Sequence, residues 1–319
     1  MKSAVSAVAR RFGAEEKLRE VYVKARRFRV GFEEPKVLPE NTVWVFGTGR
    51  SGSTWISRMM RDLSGFALWN EPLVGHMIGH LYHQRGSEIQ HLHNFMFGGD
   101  ESLWLPPLRE YILSAATAKY PQNAGESRRY LVVKEPHGSI GADLISRALP
   151  ESRMLLLVRD PRDVAASKLD AHRPDGWAKK GRLYSNLSGD ETKYVTARAE
   201  GYVFDMDNAH RAYRTHPGPK ATVRYEDVRA EPEEHLRRLL KELRLPVRPG
   251  EVAAVVRKHD WSNVPEAEKG RGRIRRKARP GGWQEDLTEE QILAVESATA
   301  KYLDRYYPDF PRFRHDRVD

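Results

Sequence analysis

The sequence predicts an α/β fold with one parallel β-sheet flanked by helices on both faces. Short apolar runs of strand length recur along the chain and alternate with segments of helical periodicity. This alternation is typical of parallel sheets, because parallel strands need a crossover connection, usually a helix, between them. The 319 residues are enough for one large domain of this kind.

The predicted strands are short and end at turn residues. They are Val43–Gly47, Ala67–Asn70, Leu131–Lys134, Met154–Val158 and Ala221–Tyr225. Helical segments, Ser53–Leu63 and Glu231–Leu243, follow the first and the last of them. Ligands of such sheets bind at the carboxyl ends of the strands, so the residues that follow each strand are the candidates for a functional site.

Residues 1–40 are predicted to be an N-terminal helical extension, and residues 41–319 the main domain. Residues 14–29 form a basic amphipathic pattern, and Pro35 and Pro39 mark a linker. This helix could contact a membrane surface peripherally, although packing on the domain is the interpretation we favour. The apolar start is too short for a secretory signal and is followed by Arg10 and Arg11, so we expect a cytoplasmic location.

The charge balance predicts an anionic partner. Lys and Arg number 54 against 44 Asp and Glu, which gives a net charge of +10. Nucleic acid, acidic lipid or a phosphorylated small molecule would each suit this charge. The chain has no cysteine, which excludes disulfide frameworks, Cys-ligated metals and thiol nucleophiles.

Residues 47–54 (GTGRSGST) join the first strand to a helix and have the composition of a phosphate-binding loop. Glycines let backbone amides approach an anion closely, and the helix N-terminus adds unpaired N–H groups. The frame of an NTPase P-loop runs from Gly47 to Gly52, but Ser53 stands where an NTPase has Lys. Arg50 supplies the positive charge instead. A kinase or NTPase stays an alternative at this point.

Residues 50–55 (RSGSTW) resemble the 5′-phosphosulfate loop of sulfotransferases that use 3′-phosphoadenosine 5′-phosphosulfate (PAPS), in the form found in bacterial and carbohydrate-directed members. The resemblance implies a P-loop-like sulfotransferase fold, PAPS as the sulfuryl donor and no metal. It implies that Arg50 contacts the phosphosulfate and stabilises charge on the leaving oxygen. The cofactor-binding residues it suggests in this loop are Gly49, Arg50, Ser51, Gly52, Ser53, Thr54 and Trp55.

Residues 155–163 (LLLVRDPRD) pass from a strand into a helix, with Pro161 in the first helical turn. Arg159 and Ser167 could bind a second phosphate there. The alternative from the residues alone is an ion pair that caps the turn, either Arg159 with Asp163 or Asp160 with Arg162. The same segment and spacing form the 3′-phosphate site of the sulfotransferases. The resemblance therefore implies that Arg159 and Ser167 have this role.

Residues 269–279 form a basic tract, which could equally be a patch for nucleic acid. When Trp283 is aligned with the Trp of the late basic loop of cytosolic sulfotransferases, Arg276 and Lys277 coincide with its Arg-Lys pair. Arg279 is a further candidate for the 3′-phosphate. The chain departs from that loop at three positions: Ala278 for Gly, Gly282 for Asp and Gln284 for Lys. We expect a nucleotide here rather than nucleic acid.

Sulfuryl transfer to a hydroxyl needs a base for the acceptor proton. Glu71, after the second strand, is the first candidate, because several bacterial and carbohydrate sulfotransferases have a Glu at a comparable place. His76 is the rival, and His137 is a third candidate.

Histidines at helical spacing follow Glu71. His76, His80 and His83 could form a zinc-binding face, but the lining of an acceptor groove is the interpretation we favour. We expect a small-molecule or glycan acceptor, such as a glycan, a glycolipid or a hydroxylated metabolite. A nucleotide-binding protein without turnover is the remaining alternative.

Overall fold

The computed structural model describes residues 36–85, 95–125, 129–180, 189–310 and 312. Its centre is a sheet of five parallel strands in the order β2-β3-β1-β4-β5. The strands are β1 Thr42–Phe46, β2 Phe66–Asn70, β3 Tyr130–Lys134, β4 Arg153–Val158 and β5 Lys220–Arg224. The predicted parallel sheet is therefore confirmed. Two predicted strand ends were wrong: Gly47 follows β1 in the loop, and Tyr225 is already helical.

Helices occupy most of the segments between the strands. Those of the described residues are α1 Ser53–Arg61, α2 Val74–Gly79, α3 Glu101–Lys119, α4 Ala142–Ala148, α5 Pro161–His172, α6 Trp177–Lys180, α7 Glu191–Thr215, α8 Tyr225–Ala230, α9 Pro232–Glu242, α10 Glu251–Lys258, α11 Trp283–Asp286 and α12 Glu289–Tyr306. A π-helical turn, His80–Arg85, continues α2. The two predicted helices correspond to α1 and α9, each of which is shorter than the sequence pattern indicates.

The sheet separates two apolar cores. Trp44 and Phe46 of β1 lie in one core, which α3, α4, α7 and α12 complete. Val43 and Val45 lie in the other, against α1, α9 and α10. Neighbouring residues of a strand point to opposite faces, and both faces of the central strands are covered. The strands β1, β3 and β4 therefore appear in the sequence as nearly continuous apolar runs. The prediction of helices on both faces is confirmed.

The strand order creates a crevice at the carboxyl ends of β1 and β4. From β1 the chain crosses towards β2, whereas from β4 it crosses in the opposite direction, towards β5. Such a switch point is where open α/β sheets bind ligands. It receives residues 47–52 after β1 and the turn at Arg159 after β4, which are the first two predicted phosphate segments.

The start of the described chain packs on the domain. Val37 is 1% exposed within the core, and its N–H donates to Thr117 Oγ1 at 2.9 Å. Residues 36–40, which the sequence assigned to the extension, thus contact the main domain. The basic amphipathic segment 14–29 lies outside the described residues. Within the described ranges, no helix has the length and apolar character needed to cross a membrane.

Candidate active site

The loop after β1 depends on glycines that cannot carry a side chain. Gly47 has a φ of +152°, and a Cβ there would lie 2.4 Å from the carbonyl oxygen of Leu157. Gly52 has a φ of +89°, and its Cβ would lie 2.3 Å from the Tyr225 ring. Arg50 also adopts a left-handed conformation, with a φ of 73°, although it has a Cβ. Such strain in a non-glycine residue is typical of functional sites.

The guanidinium of Arg50 is where the three predicted segments meet. Its Nε donates to Ser167 Oγ at 3.0 Å, and its Nη2 donates to the carbonyl oxygen of Ile274 at 2.8 Å. Burial, followed by the charges of Arg159 and Arg276, lowers the pKa of Arg50 to about 10. The group therefore stays charged at neutral pH while neighbouring cations repel it. An anion bound among these arginines would relieve that repulsion.

Arg159 lies directly beside the first loop. Its Nη1 donates to the Arg50 carbonyl at 2.9 Å, and its guanidinium stands 4.4 Å from the centre of the Tyr225 ring. Of the two ion pairs weighed from the sequence, the one between Arg159 and Asp163 is long, at 3.8 Å. The other, between Arg162 and Asp160, forms at 2.8 Å. The Nε of Arg159 and the Oγ of Ser51 are buried without a hydrogen-bond partner among the described residues. Orphaned donors of this kind are costly, and they fit the oxygens of a phosphorylated ligand.

A lysine and a carboxylate form the neighbouring wall. The buried Lys134 Nζ donates to Thr54 Oγ1 at 2.9 Å and to Glu71 Oε1 at 2.5 Å. Asn70 Oδ1 accepts a third hydrogen bond at 3.2 Å. The Glu71 side chain is 35% exposed, and its backbone is left-handed with a φ of 49°. Lys134 thereby connects the predicted phosphate loop to the predicted base.

The histidine candidates occupy different places. The ring of His137 lies against Gly49, where a Cβ would come within 2.6 Å of Cε1. Desolvation lowers the pKa of His137, so its ring is neutral at neutral pH. His76 stands on the exposed side of α2, 4.2 Å from the His80 ring, and does not line the cleft described below. His83 pairs with Asp143 at 3.0 Å. In the part of the chain that the structure describes, no three His, Asp or Glu side chains are grouped to hold a metal ion.

Residues 269–283 contain the basic tract and are called the late basic loop below. Two carboxylates of α5 hold this loop in place. Asp163 accepts the N–H groups of Gly281 and Trp283 at 2.9 and 3.1 Å, and Asp170 accepts that of Gly272 at 2.9 Å. The contacts of these two aspartates with the loop were not predicted from the sequence. Charge complementarity could have indicated them, because acidic residues of the helix that carries Ser167 face a strongly basic tract.

The basic residues of this loop are ion-paired in the structure. Arg276 contacts Asp286 and is almost buried, with 8% of its side chain exposed. Lys277 pairs with Glu285 at 2.8 Å, and Arg279, which is 57% exposed, contacts the same carboxylate. Of the three candidates, Arg276 is therefore the most enclosed and is the one whose charge acts on Arg50.

These segments enclose one large cleft of about 1340 Å³. The predicted site residues that line it are Gly49, Arg50, Gly52, Ser53, Thr54, Trp55, Glu71, Arg159, Ser167, Arg276, Lys277 and Arg279. Ser51 is buried beneath the loop instead. The indole Nε1 of Trp55 donates to the His259 carbonyl at 3.0 Å, and the Arg229 guanidinium lies 5.2 Å from the Trp55 ring centre. Trp177, below Arg50 at 5.6 Å, was not predicted.

Ala278 stands where the late basic loop of cytosolic sulfotransferases has glycine, and its backbone has the conformation that glycine favours. Its φ is 49°, in the left-handed region that glycine adopts without strain. Replacing Ala278 with Gly should therefore raise the free energy of unfolding by about 0.5–1 kcal/mol. Urea unfolding would measure this change. Ala267→Gly, in the 3₁₀ turn Glu266–Glu268, is the matched control and should not stabilise the protein. A destabilised Ala278→Gly variant would contradict the assigned backbone conformation.

The glycine-rich loop lies at the switch point of a parallel sheet, beside the Lys134–Glu71 pair, and this arrangement is typical of a site for a phosphorylated ligand. The model of the sulfotransferase family matches residues 42–249, and the chain belongs to this family. The predicted enzyme class, a sulfotransferase, is thereby confirmed, and the kinase or NTPase alternative is wrong. No curated protein matches the chain significantly in sequence.

Solved structures support the same fold. Sulfotransferase STF9 from Mycobacterium avium has a TM-score of 0.54 and 16% identity, covering 92% of this chain and 82% of its own. Mouse sulfotransferase SULT7A1, solved in complex with PAP, has a TM-score of 0.50 and 13% identity, covering 83% and 85%. At these identities the likeness concerns the fold, and the predicted sulfotransferase fold is confirmed.

Proposed function

We propose that this protein is a PAPS-dependent sulfotransferase that moves a sulfuryl group to the hydroxyl of a polar acceptor, such as a glycan, a glycolipid or a hydroxylated metabolite. The observation that carries the proposal is the position of Arg50. This residue of the first loop donates hydrogen bonds to Ser167, in the helix after β4, and to Ile274, in the late basic loop. The PAP complex of SULT7A1, a protein of the same fold, supports PAPS as the donor.

In this proposal, the first loop binds the 5′-phosphosulfate of the donor, and the turn after β4 together with the late basic loop binds its 3′-phosphate. Residues 51–54 and Trp55 would hold the 5′-phosphate side through backbone N–H groups at the start of α1, and Arg50 would contact the phosphosulfate. Arg159, Ser167 and Arg276 would hold the 3′-phosphate, with Lys277 and Arg279 nearer the entrance. PAPS supplies a sulfuryl group attached to a phosphate leaving group.

Glu71 is the base that we assign. The acceptor oxygen bonds to sulfur as the bond between sulfur and the phosphate oxygen breaks, and the acceptor proton passes to Glu71. Lys134 fixes the carboxylate at 2.5 Å and also contacts Thr54, so base and phosphate loop are held in one geometry. Arg50 stabilises the charge on the leaving oxygen. His137 is the second candidate for the base, because it is neutral and lies against Gly49. His76, outside the cleft, is not assigned this role.

The nucleotide assignment can be tested without any acceptor. Adenosine 3′,5′-bisphosphate should bind the protein in titration calorimetry, and Arg159→Met should weaken binding by about 10- to 100-fold, the value of a hydrogen bond to a charged group. The exposed Arg214 of α7 provides the control, because Arg214→Met removes the same charge away from the cleft. An unmodified protein that does not bind the bisphosphate would contradict the proposed donor.

A further inference from the structure

Gly201 lies in the middle of α7 without a packing reason. A glycine inside a helix costs about 1 kcal/mol relative to alanine, so close contact usually explains it. Gly75 and Gly79 of α2 have such contacts, since a Cβ on either would come within 2.3–2.4 Å of backbone atoms at 138–141. At Gly201, which is half-buried, no atom of the described residues lies within 4 Å of the Cβ position, apart from the neighbouring backbone of α7 itself. Among the residues that the structure describes, this glycine therefore leaves open space beside the helix.

The open space at Gly201 lies beside one face of α7. Tyr194, Arg198, Gly201 and Asp205 follow one another at helical spacing and share a face. α7 packs against α5, and the His172 and Tyr194 rings are 5.3 Å apart across that contact. We name Lys168, Arg198, Gly201 and Asp205 the Gly201 recess.

The recess adjoins the first loop. Thr48 Oγ1 donates to Asp205 Oδ2 at 2.8 Å and accepts from Lys168 Nζ at 3.3 Å. The residue after Thr48 is Gly49, which faces the His137 ring. The residue before Lys168 is Ser167, which contacts Arg50. The recess is therefore connected to the first loop through Thr48, and Lys168 is adjacent in sequence to the residue that contacts Arg50.

Positive charge in the recess is incompletely balanced. Among the described residues, the Lys168 ammonium donates one hydrogen bond, to Thr48 Oγ1. The Nε of Arg198 is buried without a partner in the same part of the chain, while its guanidinium lies 5.2 Å from the Tyr194 ring centre. Desolvation, with repulsion from Arg198 and Arg50, lowers the pKa of Lys168, and Asp205 opposes this only partly. A ligand anion would supply the missing negative charge.

We propose that the Gly201 recess binds an anionic group of the acceptor, a carboxylate, phosphate or sulfate, so that the preferred acceptor is a hydroxylated anion. Lys168 and Arg198 contact the anion, Gly201 leaves room for it, and Asp205 holds Thr48 in place. This inference rests on the proposed sulfotransferase function and extends it to the substrate class.

Filling the recess is the first test. Gly201→Leu should leave the melting temperature unchanged or higher, because leucine favours helices, and should leave the affinity for adenosine 3′,5′-bisphosphate unchanged. The KM of an anionic acceptor should rise about tenfold or more, the equivalent of 1.4 kcal/mol of lost binding. Glu200→Leu, on the exposed side of the same helix, is the control. Unaltered acceptor kinetics in Gly201→Leu would overturn the proposal.

The second test compares pairs of related acceptors, of which only one member has an anionic group. Glucuronate and glucuronamide, glycerol phosphate and glycerol, and a 3-hydroxy fatty acid and its methyl ester would be offered with labelled PAPS. The anionic member of at least one pair should be sulfated faster, and Lys168→Met should remove that preference. Lys241→Met, an exposed lysine of α9, should retain it. A panel without any anionic preference would overturn the proposal.

A binding measurement separates this proposal from the proposed function. The protein saturated with adenosine 3′,5′-bisphosphate would be titrated with the best anionic acceptor of the panel in a calorimeter. Binding should weaken about 10- to 100-fold in Lys168→Met, since a charge-assisted contact is lost. Equal binding by both proteins overturns the recess alone, whereas failure to bind the bisphosphate at the outset overturns the sulfotransferase donor site.

Discussion

Arg50→Ala should lower kcat for sulfuryl transfer by about 10²- to 10³-fold, the usual effect of removing one preorganised donor that faces developing charge. The guanidinium is fixed at both ends, by Ser167 and by the carbonyl of Ile274, so little reorganisation is needed as the leaving oxygen becomes negative. Rates with labelled PAPS, measured at saturating donor, would give the change in kcat.

The control is Arg58→Ala, which removes an arginine that lines the cleft but lies one helical turn beyond the phosphate loop. It should change kcat far less than Arg50→Ala does. Full turnover by Arg50→Ala would contradict the role of Arg50 in stabilising the leaving group.

Glu71→Gln should lower kcat by about 10²- to 10⁴-fold, the range for loss of a positioned general base. The amide keeps the shape of the side chain and can still accept from Lys134, so the affinity for adenosine 3′,5′-bisphosphate should be unchanged. Single-turnover rates together with calorimetry would separate the chemical step from donor binding.

His137→Gln is the matched variant, because it removes the other candidate base from the same cleft. If His137 takes the proton, His137→Gln should lose more activity than Glu71→Gln. The rate of the wild-type enzyme should then fall on acidification only at a pH below the ordinary pKa of histidine, because burial lowers the pKa of His137. That result would contradict the assignment of Glu71.

The central strands β1, β3 and β4 are predictable from the sequence because both of their faces are covered and they therefore appear as apolar runs. Strand order is not predictable in this way. Glu71 and Lys134 meet because β3 lies between β1 and β2, with Asn70 in register with Lys134. Their 63-residue separation gives no sign of this contact.

Each of the first two predicted phosphate segments is a short stretch between one strand and the next helix. Their positions in the fold can therefore be predicted from the sequence motifs themselves. The late loop is different. Its basic residues are placed by Glu285 and Asp286 and by the aspartates of α5, contacts that spacing alone does not reveal. His76 was a candidate because the ordinary pKa of a histidine suits a general base, but this residue lies on the exposed side of α2 and does not line the cleft.

The aspartates of α5 have a consequence for the kinetics of donor exchange. Asp163 and Asp170 hold the late loop by its backbone N–H groups, so the path of the loop does not depend on what its basic side chains contact. If the donor binds as proposed, Arg276 and Lys277 would exchange their ion pairs with Glu285 and Asp286 for contacts with a phosphate. Binding and release of the nucleotide would then avoid the conformational entropy cost of ordering the loop in each catalytic cycle.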